Sequence, residues 1–87
     1  MFELLVTESF AKNLKKLEKS DVARIKAKIF LTLDEPRLFW VGLTGNKLFK
    51  LRIGKFRVVS SIDFPGKRLT LLSVGLRKNV YDSLPIA

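Results

Sequence analysis

The clearest pattern in the chain is an alternation of apolar and basic residues over positions 48–53, which resumes in strand-forming residues after Gly54-Lys55. A period of two residues is typical of a β-strand with one buried face. Two such runs separated by two residues, with glycine first, favour a hairpin closed by a type II′ turn. The pattern therefore predicts a β-hairpin over residues 48–59.

A two-residue turn also sets the register of this hairpin, with Arg52 directly opposite Arg57. Two arginines facing each other across a strand pair repel, at a cost of about 0.2–1 kcal/mol. A polyanionic partner would relieve that repulsion, whereas on a solvated outer face salt would screen it. The expected apolar face carries Phe49, Leu51, Ile53, Phe56 and Val58, and the expected basic face carries Lys50, Arg52 and Arg57.

The N-terminal residues change from an apolar run to a helical period. Residues 2–6 fit a short buried strand, and Thr7 is suited to cap the helix that follows. From Glu8 onward, apolar residues recur at the spacing of one helix face. We expect an amphipathic helix of about three turns, whose apolar stripe is formed by Phe10, Leu14 and Leu17.

A second helix is predicted after the polar break at residues 19–21. Ser20 is placed to cap it, and Asp21 lies at its positive end. Pro36 disfavours helix at the preceding residue, so the helix should end near there. We expect two antiparallel helices joined by a tight turn, with an apolar stripe formed by Val22, Ile25, Ile29 and Leu33.

Residues 37–45 are interpreted as a loop that leads into the hairpin. Trp40 within it is expected to anchor the core rather than to stack on bases, because no regular array of aromatic residues accompanies it.

A third strand of the meander is predicted from Arg68 to Val74, after a turn at Pro65-Gly66. In this register Asp63 lies opposite Arg68, which suggests an exposed ion pair of small value. Gly75 is expected to end the strand. The basic face would then also present Val59, Leu72 and Val74.

These elements predict an α+β fold in which two N-terminal antiparallel helices pack on one face of a mainly antiparallel sheet, in the order β-α-α-β-β-β. With 87 residues, of which 47% are hydrophobic, the chain fits a single domain over residues 1–87. No apolar run reaches 18 residues, and the first six residues are too short for a signal peptide. We therefore expect a soluble, cytoplasmic protein.

The chain contains neither cysteine nor histidine. This composition excludes disulfides, thiol nucleophiles, Ser-His-Asp triads and imidazole acid–base chemistry, and it argues against zinc sites. Any catalysis must depend on lysine, arginine, tyrosine, hydroxyl or carboxylate groups. We expect no cofactor and no metal.

The net charge of +9 is concentrated in the second half of the chain. Residues 1–46 carry a net charge of +2, and residues 47–87 carry +7. A basic surface of this kind attracts nucleic acid, an anionic membrane or an acidic protein, and charge alone does not choose among them.

Three motifs, in this order and spacing, carry a family resemblance. They are Leu43-Thr44-Gly45, the hairpin residues 48–59, and the run from Val74 to Tyr81 that reads VGLRKNVY. Together they resemble the RelE/ParE superfamily of toxins from type II toxin–antitoxin pairs. The predicted order of elements is also that of this family, so the resemblance covers nearly the whole chain.

The resemblance implies one of two activities. RelE-like toxins cleave messenger RNA on the ribosome, whereas ParE-like toxins inhibit DNA gyrase on the same fold without the RNA-cleaving residues. Position by position, the catalytic residues of the RelE branch match Lys50, Arg52, Arg57, Arg77 and Tyr81, which favours that branch. The neighbouring lysines expected to contact RNA are Lys47, Lys55 and Lys78.

One position departs from the pattern of the family. Many relatives have histidine where this chain has Leu76, so Lys50 or Tyr81 would have to act as the general base. Cleavage would proceed by attack of a ribose 2′-OH on the adjacent phosphate. Arg57 would hold the phosphate charge through its bidentate guanidinium, and Arg77 would share that role or assist proton delivery.

The partners implied by the resemblance are messenger RNA on the ribosome and a cognate antitoxin, whose acidic or amphipathic segment would cover the basic face. No membrane and no small-molecule cofactor is expected. Two alternatives stay open: a ParE-like toxin that inhibits DNA gyrase without cutting RNA, and a non-catalytic nucleic-acid-binding module.

Overall fold

A five-stranded sheet with two helices against one face makes up the structure, a computed structural model that describes residues 1–43, 45 and 47–76. The strand order is β1-β5-β4-β3-β2, with β1 parallel to β5 and the other pairs antiparallel. This arrangement confirms the predicted α+β fold. The elements are β1 (Glu3–Val6), α1 (Glu8–Lys15), α2 (Lys19–Thr32), a 3-10 turn (Pro36–Leu38), β2 (Val41–Gly42), β3 (Leu48–Ile53), β4 (Phe56–Asp63) and β5 (Arg68–Leu76).

The hairpin of β3 and β4 has the predicted register, with Ile53 paired to Phe56 and Arg52 paired to Arg57. Gly54 adopts φ +58 while Lys55 keeps a negative φ, as a type II′ turn requires. Leu51, Ile53, Phe56 and Val58 are buried on the face that meets the helices.

The prediction that the first strand is buried is wrong. This strand is one of the two edge strands of the sheet and has a neighbour on one side only, and Leu5 and Val6 are 40% and 54% exposed. At the start of α1, Thr7 is the predicted cap, since its Oγ1 accepts a hydrogen bond from the Phe10 backbone N–H at 3.2 Å. The helix has eight residues, which is shorter than predicted.

The second helix begins earlier than predicted, and the assignment of Ser20 as its cap is wrong. The N-cap residue is Glu18, whose carbonyl accepts the Val22 N–H at 3.0 Å, and no side chain caps this end. The connection between the two helices is so short that α2 starts at Lys19. Asp21 lies in the first turn as expected, in an ion pair with Arg24 at 2.7 Å.

Trp40 is a core anchor, as predicted, and is 5% exposed. Its indole Nε1 donates a hydrogen bond of 3.0 Å to Thr32 Oγ1, which in turn donates to the Ile29 carbonyl at 2.7 Å. This chain of bonds ties the end of α2 to the segment that was predicted to be only a loop. That segment contains β2, a two-residue edge strand paired with β3.

The last strand continues beyond the predicted end, because Gly75 and Leu76 still pair with β4. The pairing of β5 with β4 also contains a register shift, at Val59 and Ser60. The shift places Val74 opposite Val58 in the core, at 4% exposure, rather than on the basic face as predicted. A β-bulge of this kind reverses the face on which the following side chains lie.

The predicted ion pair between Asp63 and Arg68 is also wrong, although the two residues do lie opposite each other. Asp63 Oδ1 instead accepts the Gly66 backbone N–H at 3.0 Å and so supports the turn. Arg68 Nε lies 3.5 Å from Glu3 Oε1 on the neighbouring strand. Within the described ranges, neither helix has the length and the apolar character needed to cross a membrane.

The bond between Trp40 and Thr32 generates a stability prediction. Thr32→Val keeps the side-chain shape but leaves a buried indole N–H without its acceptor, at an expected cost of about 1–3 kcal/mol. Thr32→Ser keeps the hydroxyl and should lose less. Urea denaturation of both variants measures the difference, and a valine variant at least as stable as the serine variant would contradict this role of the hydroxyl.

Candidate nucleic-acid interface

The basic residues of the hairpin lie together on the outer face of the sheet, which is the face away from the helices. β3 supplies Lys50 and Arg52, and β4 supplies Arg57 opposite Arg52. The strand register alone requires this grouping, because alternate residues of a strand point to one face and their neighbours are fixed in the core. The structure therefore confirms that the three cations lie on one face of the hairpin, as predicted.

The three cations differ in exposure. Arg52 is exposed, Lys50 is half-buried, and Arg57 is only 7% exposed. The residue opposite Arg57 on β5 is Gly75, which has no side chain to occupy the space beside the guanidinium. Taking a charged group this far out of water carries a desolvation cost that its contacts must offset. Arg57 also lines the groove that runs along the three cations.

A groove of about 330 Å³ lies along these residues. Its cations come from β3, β4 and α2, and its exposed apolar residues come from the 3-10 turn and β2, which form its apolar end. Of the residues that the structure describes, no acidic one lines it. The lining consists of Lys28, Leu38, Phe39, Val41, Lys50, Leu51, Arg52 and Arg57.

The outer face also has an apolar part, built around the fully buried Val59. Leu43, Leu48 and Leu72 pack against it. Val59 and Leu72 thus lie on the outer face as predicted, although Val59 is covered by its neighbours and not presented to a ligand, and Val74 belongs to the other face. The bulge brings Ser73 opposite Val59 in its place.

The remaining predicted site residues are distributed as follows. Lys47 and Lys55 are exposed at the two ends of β3, and Lys55 Nζ lies 5.5 Å from the centre of the Phe56 ring. Arg77, Lys78 and Tyr81 lie outside the described residues. Sequence reasoning did not identify the four groove residues Lys28, Leu38, Phe39 and Val41, which come from elements without an alternating pattern.

The arrangement is chemically suited to phosphate. Arginine presents a planar fork of donors that matches phosphate oxygens in bidentate fashion, and lysine adds a point charge. A phosphate group in the groove would also reduce the repulsion between Arg52 and Arg57. The outer face therefore has the properties of a site for a phosphodiester.

The fold is one that solved toxins of toxin–antitoxin pairs share. A chain of the RelBE complex from Mycobacterium tuberculosis has a TM-score of 0.81 at 23% identity, over 87% of this chain and 98% of that chain. The isolated RelE toxin of Escherichia coli has a TM-score of 0.74 at 22% identity, over 87% and 84%.

A chain of the RelB–RelE complex from Methanococcus jannaschii has a TM-score of 0.73 at 23% identity, over 93% of this chain and 99% of that chain. No protein-family model and no curated protein matches the sequence. The resemblance to RelE is thus confirmed for the fold.

The exposed position of Arg52 generates a binding prediction. If Arg52 contacts a phosphate, Arg52→Ala should reduce the slope of log affinity against log salt concentration by about 0.7 for a single-stranded RNA. Lys12→Ala, which also removes one exposed cation but from α1, outside the groove, should leave the slope unchanged. Equal slopes for wild type and Arg52→Ala in a salt titration would show that Arg52 does not contact a phosphate of the RNA.

Proposed function

We propose that this protein is the toxin of a toxin–antitoxin pair and acts as a ribosome-dependent messenger RNA endonuclease. The observation that carries this proposal is the position of Arg57, which is 7% exposed and adjoins Lys50 and Arg52 in one groove. The RelE fold supports it, because these residues match the positions at which RelE-like toxins place catalytic residues.

The proposed reaction is an internal transesterification. The ribose 2′-oxygen attacks the adjacent phosphorus and gives its proton to a base, which is Lys50 or Tyr81. The bond from phosphorus to the 5′-oxygen then breaks, and that oxygen takes up a proton. Arg57 stabilises the extra negative charge on the phosphorane, and Arg77 shares this role or assists the proton transfer. The products are a 2′,3′-cyclic phosphate and a free 5′-hydroxyl.

In-line attack requires the 2′-oxygen, the phosphorus and the leaving oxygen to lie in one line. Alignment of this kind contributes a large part of the rate enhancement in such reactions. We propose that the ribosome supplies it by holding the messenger, so that cleavage of free RNA is slow.

The proposed protein partner is a cognate antitoxin. Solved structures with this fold include complexes of RelE with RelB from several organisms. A chain with a net charge of +9 and a basic outer face is complementary to an acidic or amphipathic segment. A segment bound there would neutralise the phosphate site and block RNA.

The competing function is that of a toxin that inhibits DNA gyrase without cutting RNA. It predicts that alanine at Lys50 or Arg57 leaves growth arrest largely intact. A plain binding module predicts a gradual loss of affinity with each charge removed and no cleavage.

The nuclease proposal predicts new ribosome-dependent messenger ends in primer extension with purified ribosomes. Arg57→Ala should reduce their yield by about 100-fold or more, because removing one donor to a transition-state oxyanion costs about that factor. Lys12→Ala, which also removes one cation but outside the groove, serves as the control and should cleave like wild type.

A folded wild-type protein that arrests growth but produces no such ends would contradict the proposal and direct the search to gyrase. Retained cleavage by Arg57→Ala would show that the reaction does not depend on the basic face of the hairpin.

A further inference from the structure

The groove has an apolar end that the chemistry at the phosphate does not use. Leu38 and Val41 lie there with 74% and 57% of their surface exposed, next to the half-buried ring of Phe39. Clustered apolar side chains at a groove mark binding sites more often than isolated ones do. This end of the groove is suited to a flat or apolar group.

The apolar end adjoins the cations directly. Val41 is paired with Lys50 in the register of β2 and β3, so the two side chains share a face, with Cβ atoms about 5 Å apart. A ligand that reaches both ends needs its negative charge and its apolar part within one compact unit.

The apolar end is held by the core and does not depend on a free loop. The Trp40 backbone N–H donates to the Pro36 carbonyl at 2.9 Å, which closes the turn that carries Leu38. The Trp40 indole is fixed in turn by Thr32. The surface formed by Leu38 and Val41 is therefore largely formed before a ligand binds.

The size and charge of the groove restrict the ligand further. A volume of about 330 Å³ is at the lower end for small-molecule sites. Lys28 Nζ lies 5.3 Å from the centre of the Phe39 ring, so even the apolar end has a cation at its border. These features fit one unit with a phosphate at one end and a π-system at the other.

We propose that the apolar end, formed by Leu38, Phe39 and Val41, is a nucleobase subsite. It would hold the base of a nucleotide next to the phosphate bound by Arg57, Arg52 and Lys50. The inference rests on the proposed function, since it takes RNA as the ligand. It adds that this chain itself contacts a base and thereby influences which messenger sites are cut.

The test uses the full-length protein and a five-nucleotide RNA whose 2′-hydroxyls are methylated, so that cleavage is impossible. Fluorescence anisotropy compares the intact RNA with a series in which each position in turn lacks its base. Wild type should lose about tenfold in affinity at one position of the series, as expected for loss of one stacked base.

The double variant Leu38→Ala, Val41→Ala should bind the intact RNA about tenfold more weakly than wild type and show no further loss at that position. Both side chains are largely exposed, so thermal unfolding should be unchanged. The double variant Phe30→Ala, Leu31→Ala removes two comparably exposed side chains of α2, which are 58% and 62% exposed, and should bind like wild type.

Three results would overturn the subsite: no binding of the intact RNA, no position at which the missing base weakens binding, or the same loss in the groove variant as in wild type. If the groove variant binds the intact RNA and loses as much affinity at that position as wild type, the apolar end does not contact the base and is assigned to a protein partner instead. Absence of cleavage on ribosomes, with the base-dependent pattern preserved, would instead overturn the nuclease function alone.

Discussion

The pairing of Arg52 with Arg57 across the hairpin is the constraint on which the site depends. A two-residue turn at Gly54-Lys55 fixes the register, and a shift by one residue would move every apolar side chain of one strand out of the core. Burying one large apolar side chain contributes about 1.5–3 kcal/mol. The repulsion between two opposed arginines is about 0.2–1 kcal/mol. The turn and the core therefore specify the same register, and the two arginines are held together in spite of their charge.

This constraint relates the stability of the sheet to its function. The same alternation that buries Leu51 and Val58 directs Lys50, Arg52 and Arg57 to the outer face. Arg57 is the least exposed of the three cations and lines the groove beside Lys50 and Arg52. The β2 strand and the preceding turn complete the groove with apolar residues, and Trp40 anchors them to the helix layer.

The sequence predicts the fold and the basic cluster wherever the determinants are local. Gly54-Lys55 specifies the turn, the alternation specifies the faces, and Thr7 specifies the start of α1. The remaining errors involve features set by distant parts of the chain. The bulge near Val59 reverses the face of Val74 because of the packing between β4 and β5, and the edge position of β1 depends on its parallel pairing with residues 68–71. The groove residues Leu38 and Val41 belong to short elements without periodicity, and only the tertiary structure brings them to the cations.

The most direct test of the account is the chemistry of the fragment ends made from a messenger on purified ribosomes. Attack by the 2′-oxygen predicts a 2′,3′-cyclic phosphate on the upstream fragment and a 5′-hydroxyl on the downstream fragment, which a polynucleotide kinase labels without prior phosphatase treatment. Downstream fragments that carry a 5′-phosphate, or no ribosome-dependent fragments at all, would contradict the claim that this basic face cleaves RNA.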